Sequence, residues 1–252
     1  MTAALDAERR SAAGTRAPQT LAAELPRVSV VVPVFNEEAC IGGQLRRLCA
    51  TAGLHDIIVV DGGSTDRTRD IIRSFHGVTL LGAAHGRAAQ MNAGARIATG
   101  QVLVFLHADV ELPEDAARSI ADALADERVV AGAFRTWTVP HRRSWLGPLL
   151  HLADFRSRYS SLPYGDQALF VRAAAFEQVG GFPDQPLMED VELSRRLGKL
   201  GRIRTVPASV RVSGRRFLAR PIYYTLLVNV FPLLYRLGVP PHLLARQYRD
   251  VR

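Results

Sequence analysis

The chain has 252 residues, of which 48% are hydrophobic and 22% charged, so it can bury the core of one large α/β domain and is not disordered throughout. Its formal net charge is +8, and nearly all of its positively charged residues are arginines, because Lys199 is the only lysine. The arginines are scattered in short groups, which argues against a nucleic-acid-binding protein.

The cysteines and the N-terminal residues favour a cytoplasmic protein. Cys40 and Cys49 fall in one predicted helix, where an axial separation of about 13 Å is too long for a disulfide. Unpaired thiols are typical of a reducing compartment. Residues 1–26 lack the apolar run of a signal peptide, and we expect a disordered leader there.

Strand and helix patterns alternate from residue 28 onward. A continuous apolar run at 28–34, typical of a parallel strand covered on both faces, predicts the first strand. Further strands are predicted at 57–60, 78–81 and 102–106. Apolar residues at helical spacing predict a helix after each strand. This alternation indicates right-handed βαβ units and a parallel, doubly wound α/β sheet.

Two of these helices have recognisable starts. Asn36 is a suitable cap for the first helix, with Glu37 and Glu38 in its favourable first turn. Pro113 begins the fourth helix, at a position where proline is tolerated.

The second half of the chain is less regular. Its patterns predict strands at 129–139 and 167–172, helices at 145–159 and 189–199, and two short strands after the last helix. Gly180-Gly181 is a signal for the end of a short helix.

Residues 222–237 are strongly apolar, but Asn229 and Pro232 interrupt a run that is already too short for a membrane-spanning helix. A docked core helix, a homodimer interface and peripheral contact with the inner face of a membrane are all consistent with this segment.

Three predicted strands end in polar residues: Asn36, Asp61 and Asp109. Ligands of open α/β sheets bind at the carboxyl ends of the strands, so we expect these side chains to converge there. A dinucleotide-binding dehydrogenase is excluded, because its glycine-rich turn is replaced by residues 33–37, Pro-Val-Phe-Asn-Glu.

The order of five motifs resembles that of glycosyltransferase family 2. The motifs are Val28–Glu37, Val59–Asp66, Gly86–Gly94, Phe105–Asp109 and, in two parts, Gly180-Gly181-Phe182 with Glu189-Asp190. Residues 163–167 and 186–192 further resemble a bacterial branch often labelled arsenosugar-biosynthesis or selenodomain-associated transferases.

The resemblance covers residues 28–200 and implies a GT-A fold. That fold is a Rossmann-like, mostly parallel mixed sheet flanked by helices, here with a helical C-terminal segment. It implies a catalytic domain at 27–215, made of a nucleotide-binding half (27–112) and an acceptor half (113–215). Residues 216–252 would be a helical extension.

The resemblance also implies which residues bind a nucleotide-sugar donor. Asp61 would accept the imide N–H of uracil, and the backbone at Pro33 would complete the base pocket of a UDP-sugar. Asn36 and Glu37 would contact the donor, although a helix cap and a first-turn charge explain them equally well. Further along, Arg87 and Asn92 would line the nucleotide, unless Arg87 is an ordinary solvated helix residue.

His107-Ala108-Asp109 stands where the family has its acidic metal motif, but only the last residue is acidic. Asp109 would bind Mg²⁺ or Mn²⁺ together with the diphosphate of the donor. His107 and Ala108 would lie against the donor.

Glu189-Asp190 stands at the family's catalytic pair. Asp190 would act as the base for the acceptor hydroxyl in a single inverting displacement, and Asp166 would shape the sugar and acceptor site. The altered metal motif keeps a second hypothesis open, a non-catalytic nucleotide-sugar-binding protein. Arg215-Arg216-Phe217, preceded by Ser213 in place of the family's glutamine, argues against processive synthesis.

Overall fold

The computed structural model describes residues 25–139, 154, 163–214 and 230–249. Most of the predicted leader, nearly all of the predicted helix at 145–159 and the segment Arg215-Arg216-Phe217 lie outside these residues.

The described residues form one eight-stranded sheet with helices on both faces. The strands are β1 (Val28–Val34), β2 (Leu54–Asp61), β3 (Val78–Gly82), β4 (Val102–Phe105), β5 (Val110–Glu111), β6 (Val129–Val139), β7 (Leu169–Arg172) and β8 (Arg202–Ser213). The helices are α1 (Ile41–Ala50), α2 (Thr68–Arg73), α3 (Arg87–Ile97), α4 (Ala116–Leu124), α5 (Ala173–Gln178), α6 (Glu189–Leu197) and α7 (Pro241–Arg249), with a 3-10 turn at Gly165–Gln167.

The strand order is β3-β2-β1-β4-β7-β6-β8-β5. Strand β1 lies parallel to β2 and β4, and β2 lies parallel to β3, as the alternating pattern predicts. Strand β7 runs antiparallel between β4 and β6, while β6 and β8 are parallel. The prediction of a mostly parallel mixed sheet is therefore confirmed.

Every residue of β1 is buried, because helices cover both faces of the sheet. One apolar cluster joins the sheet to α1, α2 and α4, and a second joins it to α3, α5 and α6. This two-sided cover explains why the central strands are continuous apolar runs rather than alternating ones.

The structure differs from the sequence predictions after α6, between β4 and α4, and at the start of α4. The region after α6 is one long strand, β8, because it pairs with β6 along its length across two register shifts. Strand β5 has only two residues and is too short to leave a sequence pattern. Helix α4 begins at Ala116, three residues after the predicted start at Pro113.

The C-terminal segment is described at 230–249, where residues 230–236 and α7 are helical and 237–240 connect the two helices. Within the described ranges, no helix combines the length and hydropathy that crossing a bilayer requires. Cys40 and Cys49 are free thiols, as predicted.

Gly94 lets α3 lie directly on the sheet. A β-carbon at this position would be 2.4 Å from Cγ1 of Val31 and 3.0 Å from Cγ2 of Val60. The neighbours are buried strand residues, so they cannot move aside without disturbing the core.

We therefore expect Gly94→Ala to lower the free energy of unfolding by about 1–3 kcal/mol, despite the better helix propensity of alanine. Gly43→Ala in α1 is the matched control, because its added β-carbon would meet only the tip of Arg47, at 3.4 Å. Urea denaturation should show that the control is neutral or stabilised by up to about 1 kcal/mol. Equal destabilisation of both variants would contradict this account of the packing.

Candidate active site

The loops that follow β1 and β2 are joined by hydrogen bonds. The N–H of Asn36 donates to Oγ of Ser64 at 2.9 Å, and Oδ1 of Asn36 accepts from the N–H of Thr65 at 2.9 Å. The N–H of Glu37 donates to Oγ1 of Thr68 at 2.8 Å. These contacts hold the two strand ends together at one edge of the sheet.

The prediction that Asn36 caps α1 is wrong. Asn36 has φ 53°, α1 begins only at Ile41, and Glu37 and Glu38 lie outside its first turn. Local spacing cannot distinguish a cap from a loop residue whose side chain bonds to another strand end.

Asp61 is buried at the end of β2 and organises the turn behind it. Its carboxylate accepts the N–H of Gly63 at 3.2 Å and the N–H of Ser64 at 3.1 Å, and Nε of Arg69 lies 3.6 Å away. Asp61 therefore caps the turn that follows β2. Contact with a nucleotide base stays a prediction.

Two polar side chains of α3 fix the surroundings of the strand ends. Nε2 of buried Gln90 donates to the carbonyls of Val34 at 2.8 Å and Val60 at 2.7 Å, next to Pro33 and Asp61. Asn92 bonds both the N–H and the carbonyl of Phe182 at 2.9 Å. These bonds give Asn92 a structural function, while its contact with a nucleotide stays a prediction.

Arg87 opens α3 and faces the start of α6. Its Nη1 lies 3.9 Å from Oε1 of buried Glu189. Both residues line a cavity of about 290 Å³, whose other lining residues include Leu187 and Ala245. The pairing keeps a buried carboxylate close to a compensating charge.

The loop after β4 and the start of α6 meet at Gly165. The N–H of Gly165 donates to Oδ2 of Asp190. A β-carbon on Gly165 would lie 2.6 Å from Nε2 of His107 and 3.2 Å from Oδ2 of Asp190. The structure thus brings the altered metal motif and the predicted base to the same point, with the half-buried Asp166 next in the chain.

The His107-Ala108-Asp109 loop is a tight turn between β4 and β5. The carbonyl of His107 accepts the N–H of Val110 at 3.1 Å, and the carbonyl of Asp109 accepts the N–H of Ser213 at 3.1 Å. Ala108 is buried, whereas His107 and Asp109 are partly exposed.

The described residues contain no group of three or more His, Cys, Asp or Glu side chains placed to hold a metal. An all-protein metal cage therefore does not fit this part of the chain. A cation held by Asp109 and by substrate phosphates does fit, because Mg²⁺ commonly binds through one or two carboxylates and the phosphates of a nucleotide.

Backbone strain is concentrated at the predicted site. Among the described residues, the non-glycine residues with positive φ are Asn36 (53°), Ala168 (48°) and Met188 (64°). Asn36 is itself a predicted site residue, Ala168 closely follows Asp166, and Met188 precedes Glu189-Asp190. Such conformations are unfavourable for side-chain-bearing residues and persist where the surrounding structure enforces them.

The helix at 230–236 and α7 pack against the start of α6. The sequence alone does not predict this contact. Phe231, Leu244 and Ala245 pack with Leu187 in a buried cluster, and Met188 lies against it. The apolar stretch at 222–237 indicates that this segment packs against another surface, but its pattern does not identify that surface.

Comparisons with known proteins agree with this fold. The chain matches the model of the family described as Glycosyl transferase family 2 over residues 29–180, more than half of its length. A probable glycosyltransferase of Bacillus subtilis (strain 168), YdaM, is 28% identical over 216 residues, which cover 74% of this chain and 50% of the relative. An undecaprenyl-phosphate 4-deoxy-4-formamido-L-arabinose transferase of Pseudomonas aeruginosa (strain LESB58) is 31% identical over 142 residues, covering 52% of this chain and 42% of the relative. The chain thus spans about half, or less, of the length of these curated relatives.

Solved structures show the same architecture. Mannosyltransferase PcManGT from Pyrobaculum calidifontis, in complex with GDP-Man and Mn²⁺, superposes with a TM-score of 0.57 at 25% identity and covers 74% of this chain and 56% of that chain. S. aureus TarS 1–349 in complex with UDP gives a TM-score of 0.61 at 18% identity, covering 74% and 60%. The predicted GT-A fold is confirmed.

Glu192, on α6 close to the site, gives the stability of the protein a specific pH dependence. Hydrogen bonds from Arg195, with a further contribution from Arg196, lower the pKa of Glu192 from 4.5 to about 2. A depressed carboxyl pKa stabilises the folded state above pH 4.5, and this contribution is lost as the pH falls towards 2.

We expect Glu192→Gln to lower the free energy of unfolding at pH 7 by on the order of 1–2 kcal/mol, after allowing for the solvent exposure of Arg195. The difference from the parent should shrink between pH 4.5 and about 2. Glu177→Gln, at an exposed position, serves as control. A stability difference that does not change with pH would contradict the assigned ion pairs.

Proposed function

This chain belongs to glycosyltransferase family 2, and from that premise we propose that it transfers a sugar from a nucleotide diphosphate donor to an acceptor hydroxyl, with inversion at the anomeric carbon. The observation that carries the proposal is the meeting of the His107–Asp109 loop and Asp190 at Gly165. In this proposal, one edge of the sheet would provide groups both for the leaving diphosphate and for the incoming hydroxyl.

The donor is proposed to be a UDP-sugar bound across the ends of β1 and β2. Asp61 would accept the imide N–H of uracil, beside the backbone of Pro33. Its carboxylate is already fixed by the N–H groups of the following turn, so little reorganisation would be needed on binding. Asn36, Glu37, Arg87 and Asn92 would line the rest of the nucleotide.

Asp109 is proposed to hold Mg²⁺ or Mn²⁺ against the donor diphosphate, with His107 and Ala108 beside it. The bound cation would neutralise charge on the departing nucleoside diphosphate. The mannosyltransferase of Pyrobaculum calidifontis, which shares this fold, is in complex with both GDP-Man and Mn²⁺, and this supports the choice of ions.

Asp190 is proposed to take the proton of the acceptor hydroxyl. As the acceptor oxygen bonds to the anomeric carbon, the bond to the diphosphate oxygen breaks and its electron pair leaves with the nucleotide. The N–H of Gly165 holds one carboxylate oxygen of Asp190 in place. Asp166 would contact the sugar or the acceptor, and Glu189 would orient Arg87 at the edge of the cavity.

A non-catalytic nucleotide-sugar-binding protein is the second candidate. The observation that favours it is the replacement of two acidic motif positions by His107 and Ala108. Metal-dependent breakdown of a nucleotide sugar by the purified protein would separate an enzyme from a binding protein.

Two finer proposals concern the branch and the location of the protein. The arsenosugar-biosynthesis or selenodomain-associated branch is supported by residues 163–167 and 186–192. A cytoplasmic location is supported by the free thiols of Cys40 and Cys49.

Replacing the proposed base should separate chemistry from binding. We expect Asp190→Asn to reduce kcat by about 10²–10⁴-fold, because general-base catalysis contributes on this scale. Nucleotide affinity measured by calorimetry should change little. Asp122→Asn on the exposed face of α4 is the matched control and should retain full activity. A fully active Asp190→Asn variant would exclude Asp190 as the base.

Replacing the proposed metal ligand should affect binding itself. Thermal-shift measurements with UDP-, GDP-, CDP- and TDP-sugars, each with Mg²⁺ or Mn²⁺, should show stabilisation of the parent by its preferred donor. We expect Asp109→Ala to lose the part of this shift that depends on the cation. If the metal-dependent shift were unchanged in Asp109→Ala, the ion would have to be held elsewhere.

A further inference from the structure

The charge of the chain is strongly polarised. No Asp or Glu occurs between Glu192 and Asp250, whereas residues 193–249 contain 12 Arg and Lys residues. This segment therefore carries +12, and because the whole chain carries +8, the remainder carries −4. The composition of the whole chain conceals this asymmetry.

Exposed apolar side chains are concentrated in the same segment. Nine large hydrophobic residues are exposed within the described ranges, and four of them lie at 230–249: Val230, Leu233, Leu237 and Leu243. Leu237 is 73% exposed and Leu233 56% exposed. Single exposed leucines need no explanation, but a group of them does.

Helical spacing places leucines beside cations. Val230, Leu233 and Leu237 follow one face, with Arg236 exposed next to them. On α7, exposed Leu243 and Arg246 are three residues apart and lie on one side.

The helix at 230–236 and α7 each pack their opposite face against the body of the protein. Phe231, on the first helix, and Leu244 and Ala245, on α7, are buried against Leu187. The exposed leucines and arginines therefore point away from the body of the protein. We call the set of exposed residues the C-terminal ridge; its members are Val230, Leu233, Arg236, Leu237, Leu243 and Arg246.

We propose that the C-terminal ridge docks the protein onto the surface of a bilayer that contains anionic lipids. Leucines would enter the boundary between head groups and acyl chains, and the arginines would contact lipid phosphates. The sequence is consistent with membrane contact at 222–237. The ridge assigns this contact to exposed residues at 230–237 and adds two residues of α7.

A second copy of the chain and a nucleic acid are the two other partners that could cover such a surface, and both fit it less well than a membrane does. A symmetric dimer would place the ridge against its own copy, which brings basic segments together. A nucleic acid would satisfy the arginines but not the exposed leucines. A lipid surface matches both features, so it is the occupant that the chemistry favours.

Vesicle flotation with the full chain tests the proposal directly and needs no donor or acceptor, so its outcome is independent of the transfer reaction. The parent should float with vesicles of phosphatidylcholine containing about one third phosphatidylglycerol. Binding should fall steeply with added salt and be weak on phosphatidylcholine alone.

Two variants separate the apolar and the basic contributions. Leu233→Ser/Leu237→Ser should weaken vesicle binding at least about tenfold, since each leucine loses its burial in the lipid. Arg236→Gln/Arg246→Gln should weaken binding about 25-fold at low salt, at about fivefold per arginine. All four positions are exposed, so the fold should persist, which circular dichroism would verify.

Matched controls replace exposed residues elsewhere. Leu200→Ser and Arg46→Gln should float like the parent. Unchanged flotation of both ridge variants would overturn the proposal. A parent that does not float but binds duplex DNA, with that binding lost in the arginine variant, would also overturn it. So would a parent that does not float and is a dimer, when the leucine variant is a monomer.

Discussion

The absence of a side chain at residue 165 is the constraint on which the site depends. A β-carbon there would lie 2.6 Å from the imidazole of His107, so only glycine lets the loop after β4 approach the start of α6. The N–H of Gly165 then bonds to Asp190 and sets the direction of its carboxylate. One close backbone contact thus joins the loop after β4 to the start of α6.

The surrounding structure maintains this contact from several directions. Gln90 ties the ends of β1 and β2 together, and Asn92 anchors the loop that leads to α6. Behind α6, the C-terminal helices pack on Leu187, next to the strained backbone of Met188. The segment that forms the ridge on its outer face therefore supports, on its inner face, the start of α6, where the proposed catalytic residues lie.

The sequence predicts the parts of the fold that depend on local patterns. Continuous apolar runs identify β1, β4 and the buried part of β2, because burial on both faces leaves no polar alternation. Gly180-Gly181 marks the end of α5 with positive φ at both residues. The features that the sequence does not predict depend on contacts between residues that are far apart in the chain. Asn36 bonds to Thr65 instead of capping α1, and β8 is continuous because β6 pairs with it. His107 and Asp190 both lie beside Gly165 although they are far apart in the chain, and no local spacing rule predicts this.

We propose that one cleft presents Asp109 to a nucleotide-bound cation and Asp190 to the acceptor. Anomalous diffraction from crystals grown with UDP and Mn²⁺ would locate the cation relative to both carboxylates. We expect a manganese peak at a bonding distance of about 2.0–2.2 Å from the Asp109 carboxylate, with the uracil at Asp61 and Asp190 facing the open side of the diphosphate. A manganese–nucleotide pair bound away from Asp109, or one that leaves Asp190 on the far side of the sheet, would contradict it.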